Sequence, residues 1–209
     1  MTLENQVLSL LNGPVVARIR FRFPIAGSQV TIAPQTFHVV ARAIRSGRVI
    51  VRRPTDLAPG VAAQYNDVAR ARADRTVVRA NTLEINSAAG RLDQSFVVHE
   101  CLHAAYDLLR TGLDGNAEEA SAYVVTALYC RMTGLPRPTW ANGQIYANAA
   151  QAAQTLLAQY QRGDPGIPMV GDAPWQALRL GVALHPVYRF QGPGGVFGLL
   201  FGSQYTHDG

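Results

Sequence analysis

The sequence predicts an α+β fold, and three observations lead there. Short alternating or β-branched segments are confined to the first 90 residues, and segments of helical period fill the chain from residue 91 onward. The composition, 48% apolar and 16% charged, suits a packed globule rather than a disordered chain. With 209 residues there is enough chain to bury a sizeable core, so a single domain over 1–209 is expected. Within it, residues 1–90 form a sheet-containing part, 91–163 a helical part and 164–209 a loop-rich part.

Residues 4–12 have the spacing of a short helix that Gly13-Pro14 stops, and residues 15–23 alternate like a strand. In PQTFHVVARAIRSG (34–47), Phe37, Val40, Ala41 and Ile44 share a helical face and Gly47 is the stop. RVIVRR (48–53) and NTLEIN (81–86) read as strands. Residues 55–80 are loop-rich, with a turn at Pro59-Gly60 and a short element of open type around 62–66. Residues 91–110 make one helix and NAEEASAYVVTALYCRMTG (116–134) a second. ANGQIYANAAQAAQTLLAQYQRG (141–163) makes a long third, set off by Pro136 and Pro138. A short helix is expected near 173–181, and the glycine-rich, apolar GPGGVFGLLFG (192–202) as a packed loop or hairpin.

The charge pattern excludes some partners. All 19 basic residues are Arg and the net charge is only +5. ARIRFR (Arg18, Arg20, Arg22) and ARARADR (Arg70, Arg72, Arg75) are the densest groups, and alternation puts the first on one solvated strand face. Neither has the basic-aromatic interleaving of a nucleic-acid surface, so no nucleic-acid partner is expected. The N-terminal MTLENQVLSLLNGP lacks the basic start and apolar length of a signal peptide, and no apolar run approaches the ~18 residues of a membrane span. Cys101 and Cys130 are too few for a disulfide framework. A cytoplasmic location is the expectation.

The informative stretch is FVVHECLHAAYDLLR (96–110), where two histidines and a glutamate interrupt an apolar helix. Burying such groups unpartnered costs roughly 2–7 kcal/mol each. His99 and His103, four apart, project from one face one turn from each other, the spacing at which two imidazoles bind one Zn²⁺. Glu100 is rotated by about 100° from His99, badly placed as a ligand but able to reach a water on the metal as a general base. Cys101, on the far side of the helix, is expected to pack rather than attack.

A catalytic zinc takes a third protein ligand. TGLDGN (111–116) lets the chain double back, and the next helix opens with Glu118 and Glu119, either of which has the reach. The plainer reading makes Asn116 the cap of that helix and Glu119 its partner in a capping box. Asp107 and His185 are further alternatives as ligands, and Asp107 is equally a partner for an imidazole nitrogen or for Arg110.

HECLH followed by EEASAY resembles the gluzincin group of zincin metallopeptidases, which carry H-E-x-x-H and a metal-binding Glu on a following helix. The resemblance implies a zincin-like fold, Zn²⁺ as cofactor, and hydrolysis of a peptide or protein substrate with Glu100 activating water. It implies Glu119 as third ligand, opening an E-x-x-A pattern in which Tyr123 stands where an Asp is more usual. An active-site strand in such enzymes offers its edge to substrate, and NTLEIN is the candidate. Tyr106, Tyr188, Tyr205, His185 and His207 are candidate oxyanion stabilisers. The rival readings are a toxin or effector peptidase exported without a signal peptide, and a zinc-binding domain without turnover.

Overall fold

The computed structural model describes residues 1–54, 57, 61–71, 77–135, 143–163 and 166–185, and these form an α+β structure of two compact units. Pro59-Gly60, Arg72, Arg75, Pro136, Pro138, Tyr188, Tyr205, His207 and residues 192–202 lie outside the described residues. Among the described residues, no helix is long and apolar enough to cross a membrane.

The first unit covers Met1–Arg18 and Ala33–Thr111. It begins with α1 (Leu3–Leu11), capped by the Thr2 hydroxyl on Asn5 N–H. Residues 15–23 are not one strand: Val16–Arg18 form a 3₁₀ turn. The alternation that reads as a strand also places Val16 and Ile19 three apart, and both are buried, as a 3₁₀ turn needs. Next comes α2 (Pro34–Arg45), ended by Gly47 at φ +73°.

The strands of this unit are β3 (Ile50–Arg52), β4 (Ala63–Asn66), β5 (Arg70–Ala71), β6 (Val77–Val78) and β7 (Thr82–Ile85). They follow β1 (Phe21–Ile25) and β2 (Ser28–Ile32) of the second unit. β5 and β6 make a small antiparallel pair. The three-stranded sheet has the order β3-β7-β4, with β7 parallel to β3 and antiparallel to β4. NTLEIN therefore supplies the central strand. Both edges of β7 are paired, so it has none to offer a substrate; among the described residues β3 and β4 are the edge strands, and β4 is the one that packs on α3.

All four residues of β7 are buried, including Glu84. A carboxylate there must be paired. Arg52 Nε on β3 lies 3.1 Å from Glu84 Oε1, and Asn66 Nδ2 on β4 donates to Oε2 at 3.3 Å. The opposite face, with Ala63, Tyr65, Leu83 and Ile85, turns to α3 (Arg91–Leu109), against which β4, β7 and α2 all pack.

The second unit covers Ile19–Ile32 and 112–209. β1 and β2 form a hairpin closed by Ala26 and Gly27, whose φ of +79° suits glycine. Phe21 and Phe23 are buried while Arg18 and Arg20 are exposed, but Arg18 stands in the 3₁₀ turn and not on a strand. Arg22 is half-buried and donates to Ile167 O at 3.3 Å. Three helices, α4 (Gly115–Met132), α5 (Gly143–Arg162) and α6 (Asp172–Leu184), pack on one another. The Phe23 and Trp175 rings, centroids 4.4 Å apart and tilted by 32°, join hairpin to helix.

Candidate metal centre

Helix α3 carries the H-E-x-x-H stretch through a nearly dry environment. Val97, Val98, Cys101, Leu102, Ala104 and Ala105 are all fully buried. The helix is stopped at Arg110, which takes φ +51° and donates its N–H to Asp107 O. Between start and stop, the four-residue spacing brings the His99 and His103 rings edge to face, with centroids 5.1 Å apart. His99 keeps only 9% of its surface, and His103 is half-buried.

Glu119 comes from the first turns of α4. That helix starts two residues earlier than its sequence suggests, because Asp114 is the cap and accepts from Ala117 N–H at 2.9 Å. With Gly115 as the first helical residue, Glu119 lies beyond the position a capping box requires, and Asn116 is not the cap. Asp114 is also tied to Arg179 of α6 at 2.7 Å. One ligand atom from each of His99, His103 and Glu119 lies within 4.8 Å of the other two. Glu118, Asp107 and His185 do not join that group; Glu118 is buried in α4 at 7% exposure and His185 ends α6.

The donor set suits zinc. Two imidazoles and a carboxylate are the ligands of an open, catalytic zinc site. Donors on one tetrahedral ion at ~2.0–2.1 Å stand about 3.4 Å apart, a spacing that falls inside the 4.8 Å bound on this triad.

Glu100 leaves the helix on a different side, half-buried, and its Oε2 accepts the backbone N–H of Tyr65 on β4 at 2.7 Å. Asp107, one turn beyond His103, accepts from the Tyr65 hydroxyl at 2.6 Å. Tyr65 has no motif to mark it in the sequence: it is the single strand-favouring residue of AQYN, in a loop-rich region. Tyr106 is buried in α3. Cys101 is fully buried; desolvation, and then the Glu100 charge, push its thiol far up from the ordinary 9.0, which denies it a nucleophilic thiolate.

Burial, then the hydrogen bond to Asp107 and its charge, likewise push the Tyr65 phenol far above its ordinary 10.0. The folded state therefore keeps a proton that the unfolded chain releases. Stability from this source is complete below pH ~10 and falls as pH rises beyond it. Urea unfolding at pH 9 to 11 should show a steeper alkaline loss in the parent than in Tyr65→Phe. The difference is at most about 1.4 kcal/mol per pH unit, and less because the ring is half-exposed to screening solvent. Equal slopes would contradict the assigned phenol–carboxylate bond.

No family model, no curated protein and no solved structure matches this chain.

Proposed function

We propose that this chain is a zinc-dependent metallopeptidase of the gluzincin kind, with a zincin-like arrangement of helix and sheet. The observation that carries the reading is the convergence of His99, His103 and Glu119 beside a helix-borne Glu100 that is not one of the converging donors. His99 and His103 would hold the metal through imidazole nitrogens and Glu119 through a carboxylate oxygen. When bound, zinc supplies Lewis acidity, making water a nucleophile near neutral pH and polarising the carbonyl under attack.

Glu100 takes the proton of the attacking water and passes it to the leaving nitrogen as the peptide bond breaks. Its Oε2 is held by Tyr65 N–H, so the carboxylate is oriented before substrate arrives. The buried Val97, Val98, Leu102 and Ala105 keep bulk water from the helix core around it. β4 is the edge strand packed on α3; its Tyr65 N–H is taken by Glu100, and outward-facing Ala63 is where an extended peptide or protein substrate would align.

Fluorescently labelled casein, an unstructured substrate, tests the reading. Hydrolysis should stop when a chelator removes the metal and return with added zinc. Hydrolysis indifferent to the chelator would refute it. Zinc binding with no hydrolysis of any unstructured substrate would leave the protein a binding domain.

A further inference from the structure

We propose that Tyr65 is the positioning residue for Glu100, an inference that rests on the metallopeptidase reading. Tyr65 fastens strand β4 to helix α3 at two points, about two helical turns apart. Its backbone N–H donates to Glu100 Oε2 at 2.7 Å, and its hydroxyl donates to Asp107 Oδ2 at 2.6 Å. His103 lies between those two carboxylates in sequence. One residue of the edge strand thus holds the general base with its main chain and the same helix with its side chain.

A third contact fixes the clamp from behind. Tyr65 Oη lies 2.8 Å from Asn81 Oδ1. A hydroxyl has one proton to give, and the short contact to the charged carboxylate takes it. The Asn81 amide then serves by turning its N–H₂ toward the hydroxyl oxygen. Asn81 itself has φ +55°, a left-handed conformation that asparagine tolerates better than most residues, and its carbonyl accepts Ile50 N–H at 2.9 Å. The backbone that presents this amide is therefore locked into the sheet.

The register explains why the Tyr65 N–H points at Glu100. Asn86 N–H donates to Ala62 O, so 62, 64 and 66 are the residues that exchange bonds with β7. Ala63 and Tyr65 turn their main-chain groups away from it. An outward N–H at a sheet edge usually meets water. Here it meets a carboxylate from the helix packed beneath, a charge-assisted bond to a side chain that would otherwise sample several rotamers. Removing the phenol anchor loosens the strand, and with it the carboxylate. Misplacing a reacting group by about 1 Å costs up to ~10²-fold in rate.

The test uses the full chain, loaded with zinc, as parent, Tyr65→Phe and Glu100→Ala. Zinc per chain, the NMR shift and exchange rate of the Tyr65 amide proton, and kcat and KM on labelled casein are the readouts. In Tyr65→Phe, zinc should stay at the parent level and KM within about twofold, while kcat falls about 10- to 100-fold. The residue-65 amide proton, downfield in the parent, should move upfield and exchange faster in both variants. This arm needs no substrate. A zinc-loaded, active Tyr65→Phe whose amide proton and kcat match the parent overturns the positioning role alone. So does a variant that only melts earlier, with that proton unmoved. A parent that neither holds zinc nor hydrolyses casein overturns the peptidase reading, and the positioning role with it, whatever the amide proton does. If Tyr65→Phe fails to fold, Asp107→Asn, which weakens the same contact, carries the same expectations.

Discussion

Glu100→Gln should keep the fold and the zinc while lowering turnover about 10²–10⁴-fold, the scale on which a positioned general base contributes. Gln has the shape of Glu, and its amide oxygen still accepts the Tyr65 N–H that now binds Oε2. The substitution removes only the capacity to take a proton from the attacking water. Circular dichroism, zinc per chain and kcat on labelled casein, measured on one preparation, separate these effects. An active Glu100→Gln protein would take the residue out of the mechanism.

Replacing a ligand should act on the metal itself. Removing an outer partner of a metal ligand already costs about 10–100-fold in affinity, so losing one of three donors should cost more. His99→Ala, His103→Ala and Glu119→Ala are therefore expected to lose zinc, each from the triad whose atoms converge within 4.8 Å. Glu118→Ala is the informative neighbour. Its carboxylate is buried in α4 and stands outside that triad, so its loss should lower stability and spare zinc affinity. The reverse pattern would move the third ligand by one residue.

How much of this was legible in the sequence differs from residue to residue. The His99–His103 pair was readable because its geometry is local: four residues of helix fix it, whatever packs around them. Glu119 was readable only as one of two reachable carboxylates. Asn116 reads as a good cap in the sequence, and nothing local ranks Asp114 above it. The pairing of Asp114 with Arg179, 65 residues away, belongs to the tertiary structure and leaves no local trace. NTLEIN was recognisable as a strand, yet its central place in the sheet depends on the pairing of β4, a segment too short to show a period. Residues 15–23 failed for a related reason, since apolar positions three apart serve a 3₁₀ turn as well as an alternation nearly serves a strand. Tyr65 was out of reach altogether. Its partners Asn81, Glu100 and Asp107 are 16, 35 and 42 residues away; the β4–β7 pairing brings the first and the packing of α3 on β4 the other two.

The proposed chemistry depends on zinc held by this helix, and zinc per chain in purified protein is the measurement for it. The parent should carry about one zinc, removable by a chelator and regained on titration, while His99→Ala and His103→Ala, folded by circular dichroism, should carry none. A parent without zinc affinity, or two histidine variants that bind zinc as the parent does, would contradict the account.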